Sequence, residues 1–321
     1  MRSARLLALI IGLGAMTLAP LPPLPVLAQE TVDVPLPRPR PDRSVPAPAP
    51  ASEPENTAAT EAIAALADVP QDVTLSARIT ESGAPIPDGL IWRVFDGTPD
   101  ANGEMALVAK AETGTANLQL RPGEYMVHVA YGQAQVSESL SIVPGNNQLD
   151  IVLDAGALRL NSAVTGDIPI SPGLLRFDIL TAGTEASRVM VASDLPPNEI
   201  VTLNAGTYHI VSHFGDINAV VRADLRVEPG QLTDATLYHH AGEVSFKLVS
   251  EEGGEAIADV EWTVKTSDGA TIFTARGAFP STVLAEGEYL VLAKVGDQVY
   301  NREVQIQPGS QREIEVLSSI Y

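Results

Sequence analysis

One stretch of this chain is written three times. Leu120-Arg-Pro-Gly123-Glu-Tyr125-Met-Val recurs as Leu203-Asn-Ala-Gly206-Thr-Tyr208-His-Ile and as Leu284-Ala-Glu-Gly287-Glu-Tyr289-Leu-Val. In each copy a second glycine follows nine positions on, at Gly132, Gly215 and Gly296, and a Pro-Gly pair comes later, at Pro144-Gly145, Pro229-Gly230 and Pro308-Gly309. Upstream, an aromatic residue stands in an alternating run at Trp92, Phe177 and Trp262, at a constant spacing of 85 residues. Several landmarks kept in register over such distances mean an internal repeat, and a repeat restricts the chain to folds that one unit can build and its neighbours can extend.

The unit is β. Alternating segments at Val73–Ile79, Leu90–Phe95, Asn117–Leu120, Tyr125–Tyr131 and Gln148–Leu153 are separated by clusters of Gly, Pro, Asp and Asn. Short alternating runs with turn signals every 8–12 residues predict about seven strands per copy, packed as a small antiparallel sandwich. The expected fold is therefore all-β: three tandem seven-stranded antiparallel β-sandwich domains, Ig-like or prealbumin-like, over 72–154, 155–240 and 241–321. Gly123, Gly206 and Gly287 are expected at tight turns needing positive φ. The leucine before each turn and the tyrosine after it then face one core. The tyrosine ring is buried while its hydroxyl returns to a backbone group near the turn. Trp92, Phe177 and Trp262 supply the large central side chain. Copy two departs from the others in its Phe177 and in a longer interval between Gly215 and Pro229.

The pattern Leu-x-x-Gly-x-Tyr-x-Val, with the second glycine, the Pro-Gly turn and a final strand such as Leu149–Leu153, resembles carboxypeptidase-regulatory-like (transthyretin-like) β-sandwich repeats. Related repeats accompany von Willebrand A-type domains in some bacterial envelope proteins. The resemblance spans about 72–319. It implies a fold and no chemistry, because that family has no catalytic residues to carry over, and the Asp-x-Ser-x-Ser metal motif of the A-type domain is absent here.

Ahead of the repeats lies a different kind of sequence. Arg2 and Arg5 precede an uncharged run from Leu6 to Leu18, and Val26-Leu27-Ala28 offers a small-residue cleavage site before Gln29. A basic start, a short apolar stretch and an A-x-A-like end make 1–28 a Sec-type signal peptide cleaved after Ala28. The rival reading, a retained anchor, is disfavoured because Pro20, Pro22, Pro23 and Pro25 break the stretch, and Leu6–Leu18 falls short of the roughly 20 residues a membrane span needs. The expected location is the periplasm or the outside of a bacterium, with the mature chain not integral to a membrane. Residues 29–71 read as a Pro-rich linker. Eight prolines fall between Pro35 and Pro54, a composition that favours an extended polyproline II spacer, and the Ala-rich Thr57–Leu66 is expected to form a short helix.

Composition closes off most chemistry. Forty Asp and Glu against 20 Lys and Arg give a formal charge of −20, which repels nucleic acid. The absence of cysteine excludes disulfides, thiolate metal sites and Cys nucleophiles. No GxSxG, SxxK, HExxH, Walker or GxGxxG motif is present. Of the five histidines, His209 and His213 are four apart, a metal spacing only on a helix. On a strand they are about 13 Å apart. His239 and His240 lie at the seam between copies two and three and face opposite ways on a strand; with His128 they are read as ordinary strand or hinge residues. Asp96–Glu104 carries a faint likeness to a calcium loop but lacks its ligand spacing, so a hairpin turn is expected. Glu251-Glu252-Gly-Gly-Glu255 is expected to be a solvated turn. No catalytic residue, cofactor or metal ligand is assigned. The expectation is a non-enzymatic envelope scaffold or protein-binding module, a β rod with a protein partner of unread identity. The alternative is a periplasmic hydrolase or metal-dependent enzyme with a site at a domain seam, near His213 or His239-His240.

Overall fold

In a computed structural model of the chain, residue 65, residues 68–309 and residues 311–318 are described. The signal segment, the Pro-rich spacer and the Thr57–Leu66 helix lie outside the described residues, save Ala65, which is helical.

The first copy runs β1 (Gln71–Arg78), β2 (Ile91–Asp96), β3 (Leu107–Ala111), β4 (Ala116–Leu120), β5 (Gly123–Tyr131), β6 (Ala134–Ile142) and β7 (Asn147–Val152). These form two sheets, β4-β1-β7 and β3-β2-β5-β6. The second copy runs β8 (Ala155–Val164), β9 (Ile168–Pro169), β10 (Leu175–Thr181), β11 (Met190–Leu195), β12 (Ile200–Asn204), β13 (Gly206–Phe214), β14 (Val220–Val227) and β15 (Leu232–His239). Its sheets are β12-β8-β15, with the short β9 beside β8, and β11-β10-β13-β14. The third copy runs β16 (Ala241–Val249), β17 (Glu261–Thr266), β18 (Thr271–Arg276), β19 (Ser281–Ala285), β20 (Gly287–Val295), β21 (Gln298–Ile306) and β22 (Gln311–Leu317), in sheets β19-β16-β22 and β18-β17-β20-β21. The chain is thus a series of β-sandwiches, each closing a three-stranded sheet over a four-stranded one. Within the mainly antiparallel plan, the first and last strands of each copy run parallel, β1 with β7, β8 with β15 and β16 with β22. A parallel pair requires a crossover, and here the whole of the four-stranded sheet supplies it.

Each sandwich surrounds its own apolar cluster, and Trp92, Phe177 and Trp262 are buried in them at 0, 0 and 1 % exposure. Burying an indole requires a partner for its N–H. Trp92 Nε1 donates to Thr113 O (2.9 Å) and Trp262 Nε1 to Gly277 O (2.8 Å), whereas Phe177 has no such demand. The tyrosine of the repeated motif behaves as its chemistry dictates. The hydroxyls of Tyr125, Tyr208 and Tyr289 donate to the carbonyls of Arg121, Asn204 and Ala285, four residues upstream, at 3.0, 2.9 and 2.9 Å. Each ring lies over the motif glycine, whose φ of 156–158° is positive, as expected from the sequence, and lies in a region that residues with side chains rarely adopt. The second glycine is left-handed in all three copies, at Gly132 (φ 61°), Gly215 (φ 69°) and Gly296 (φ 58°).

The outer edges of the four-stranded sheets share one irregularity. Pairing to the edge strand shifts register at Val94/Phe95, at Ile179/Leu180 and at Val264/Lys265, which are equivalent positions in the three copies. A bulge at an edge strand bends it away from a straight hydrogen-bonding template, which hinders edge-to-edge association.

Candidate functional site: the joints and their histidines

The connections between sandwiches are minimal. Two residues, Leu153 and Asp154, separate β7 from β8, and His240 alone separates β15 from β16. With so little slack, each sandwich must meet the next directly, and the described copies pack within one compact unit. At the first joint Ala205 N donates to Asp154 O (2.7 Å) and Gly230 N to Ala155 O (2.8 Å). The two-residue turn Gly132-Gln133 lies against β12. Gln133 N donates to Thr202 O (3.0 Å), and the Asn204 amide accepts from Gln135 N (3.0 Å) and donates to Leu153 O (2.9 Å).

The second joint repeats the backbone part of this scheme, with Glu286 N donating to His240 O (2.8 Å) and Gly309 N to Ala241 O (2.9 Å). Its side-chain lock comes from the opposite partner. The turn is longer here, closed by Phe214 N to Ala219 O (2.9 Å), and its Asn218 amide accepts from Ala285 N (3.0 Å) and donates to Tyr289 Oη (2.8 Å). The extra residues between Gly215 and Pro229 noticed in the sequence therefore build this lock. A cleft of about 520 Å³ opens beside it, lined among others by Leu174, Gly215, Ile217, Phe273, Val283 and Arg312. A smaller one of about 290 Å³ includes Ile168, Phe214, Ala241 and Gly309. Neither has a histidine in its lining. A third groove, of about 540 Å³, lies on the outer face of β3-β2-β5-β6, where Phe95, Met105 and Met126 meet Arg93 and His128.

Every histidine has a polar side-chain partner, and only that of His240 lies across a joint. His128 Nδ1 is 3.0 Å from Ser137 Oγ, and burial, helped by the charge of Arg93, lowers its pKa. His209 and His213 lie on one face of β13 and each meets a carboxylate, His209 Nδ1 with Asp224 at 2.7 Å and His213 Nε2 with Asp178 at 3.0 Å. His240 is exposed and sits 3.4 Å from Glu286. His239 faces the other way, as strand alternation requires, and is 1 % exposed. Its Nε2 is 2.8 Å from Ser212 Oγ, which is 2.8 Å from Ser162 Oγ. Its ring meets Phe214 edge-on at 5.7 Å. Burial pushes the imidazole down to about 4, with the charge of His213 adding to the shift. Ser212 has no solvent exposure, so this Ser–His pair is shut away from any substrate.

The acidic loops are turns. Asp96 accepts from Thr98 N (2.8 Å), and Asp100 accepts from Asn102 N (2.8 Å) and Glu104 N (2.9 Å), bonds that lower the Asp100 carboxyl pKa. At Glu251–Glu255, Gly254 N donates to Glu251 O (2.9 Å), and Gly253 N donates to Glu315 (3.0 Å). Among the described residues no group of three or more His, Asp or Glu side chains is placed to hold a metal, and no helix is long and apolar enough to cross a membrane.

Sequence reading passed over the chain of Ser162, Ser212 and His239. Pairing to the motif leucine makes Ser162 equivalent to Ala77 and Leu248, and distance from the motif tyrosine makes Ser212 equivalent to Val129 and Ala293. His239 takes the place of Leu153. Three polar residues at positions that are apolar in copy one would have been visible on laying the copies together strand by strand.

Residues 243–318 match the Rhizobiales growth-associated tandem repeat domain. No curated protein matches the chain. Among solved structures, the Bacillus anthracis TIE protein is similar at 14% identity over 78% of this chain and 50% of its own, with a TM-score of 0.23. A streptococcal ancillary pilin is similar at 12% identity, covering 77% of this chain and 99% of the pilin, with a TM-score of 0.28. The minor pilin GBS52 of Streptococcus agalactiae is similar at 12% identity over 53% of this chain and 95% of the pilin, with a TM-score of 0.32.

Proposed function

We propose that this protein is a non-enzymatic envelope module, exported by a Sec-type signal and cleaved after Ala28, whose tandem sandwiches hold a binding surface at a set distance behind a Pro-rich spacer. Its repeats are read as transthyretin-like sandwiches and its partner as another envelope protein. The observation that carries the reading is the pair of joints. Connections of one and two residues, reinforced by a side-chain lock at each, are what a spacer or scaffold needs and what independent, loosely strung domains lack. The match of one repeat to a growth-associated tandem repeat domain gives the reading its biological setting. The groove of Phe95, Met105 and Met126 is the surface best suited to a partner, being apolar and open on an otherwise acidic protein.

A hydrolase or metal enzyme at a seam draws no support from the geometry, since the clefts there lack histidine and the histidines are engaged elsewhere. The test is a pull-down from solubilised bacterial envelope with the chain from Gln29 as bait. A saturable protein partner, lost on Phe95→Ser with Met126→Ser, supports the proposal. Capture of nothing, or of glycan alone, sinks it.

A further inference from the structure

The Ser162–Ser212–His239 chain sits where copy one has only hydrocarbon and copy three has it at two of the three places, with Ser318 at the third. Copy one has Ala77, Val129 and Leu153 at these positions, all at 0 % exposure, and copy three has Leu248 and Ala293 at the first two, equally buried. Residues far apart in sequence, on β8, β13 and β15, have thus been exchanged for a connected set of hydrogen-bonding groups. A buried polar group destabilises a core unless it is satisfied, so such a set is not a neutral drift from apolar packing.

Its position gives it something to act on. His239 is the last residue of β15, and the carbonyl of the next residue, His240, receives the Glu286 amide of sandwich three. The ring of Phe214, against which His239 packs, begins the turn that carries Gly215 and Asn218 to β19, and it lines the smaller seam cleft with Ala241 and Gly309. His239 therefore touches both the linker and the lock of the second joint. At the first joint the same place is held by Leu153, which has no proton to gain.

The charged groups around His239 make protonation costly in the closed form. The hydrogen-bonding partner is a hydroxyl, not a carboxylate. On β13 the neighbouring His213 is itself a base, held by Asp178 of β10. His240 faces out toward Glu286, and at the turn Asp216 is held by Arg176 at 2.5 Å. No acid among these bonds to the His239 ring. We infer that the second joint is acid-operated: uptake of a proton by His239 opens the end of sandwich two and frees the turn that locks sandwich three, while the first joint stays closed.

Amide hydrogen exchange on the purified chain tests this with its own control. The amide of Ala285 crosses the second joint to Asn218 and that of Glu286 reaches the His240 linker, while those of Gln135 and Ala205 do the same at the first, to Asn204 and Asp154. Between pH 7 and pH 4.5, after correction for intrinsic exchange, protection at Ala285 and Glu286 should fall by about tenfold or more relative to Gln135 and Ala205, well within what a shift of His239 can drive. His239→Leu with Ser212→Val and Ser162→Ala, which copies sandwich one, should remove the difference. Equal loss at both joints, or loss that persists in this variant, overturns the inference. Should the variant fail to fold, the titration of the His239 ring by NMR in the unaltered chain decides. Joint opening must follow the ring's own midpoint, and a different midpoint overturns it.

Discussion

At the first joint a two-residue turn meets β12 and the locking asparagine, Asn204, belongs to the following sandwich; at the second a longer turn meets β19 and the locking asparagine, Asn218, belongs to the preceding one. The backbone bonds are the same at both, Ala205 to Asp154 and Gly230 to Ala155 against Glu286 to His240 and Gly309 to Ala241. What the repeat conserves is thus the strand geometry that puts amide against carbonyl. The side chains that fasten it are free to come from either partner, because an amide both donates and accepts. Copy two differs from its neighbours in ways that converge on the second joint: the longer turn and the buried Ser–Ser–His chain.

The largest way to break this comparison is at the centre of a sandwich. Trp92→Ala and Trp262→Ala should each destabilise by about 3–5 kcal/mol, comparable to the whole stability of a small domain, and Phe177→Ala by an amount in the same range. Chemical denaturation should show the affected sandwich unfolding first, and a loss near zero would mean that these side chains do not centre their cores. Acid comes next. Because the folded protein holds His239 near 4 rather than the ordinary 6.5, it favours the neutral form. The stabilisation is complete above about pH 6.5, declines as pH falls and is gone below about 4, a loss of ~3 kcal/mol. Thermal melts from pH 7 to 4 should show the drop, and His239→Leu with Ser212→Val and Ser162→Ala should flatten it.

Smaller effects separate the two turns. Alanine at Gly132 or Gly215 forces a left-handed backbone at about 1–2 kcal/mol. At Gly215 its Cβ also stands 2.7 Å from Val283 Cβ, against 3.2 Å from Thr202 Cβ at Gly132. Gly215→Ala should therefore cost more than Gly132→Ala, and equal melting shifts would show that the second turn has room to move. Smallest, Asn204→Ala and Asn218→Ala should each cost roughly 0.5–1.5 kcal/mol, with faster exchange confined to the joint concerned. Spread of the effect to both joints would show that they are not separate locks.

Much of the fold was legible in the chain because the repeated motif is made of residues with local duties. Tyr125, Tyr208 and Tyr289 return their hydroxyls four residues back, an interaction contained in one short stretch, and Trp92 announces a core simply by its size and its alternating neighbours. The strand segments read in copy one lie on β1, β2, β4, β5 and β7, while the parallel pairing of β1 with β7 was not foreseen, since strand direction depends on how distant segments return. The candidate sites were harder. Pairing of His213 with Asp178 and His209 with Asp224 depends on the register of β13 against β10 and β14, which no spacing along the chain reveals.

By itself, then, the sequence determined the repeat, its β character, its aromatic centres and its lack of any recognised catalytic motif, all consequences of side-chain size, alternation and turn chemistry acting over a few residues. Only the tertiary structure decided which glycine is left-handed, which asparagine fastens each joint, and that Ser162, Ser212 and His239 form one buried chain. The reason is distance. Those features join residues up to 77 positions apart, from Ser162 to His239, and their energy exists only once the sheets have brought β8, β13 and β15 into one core.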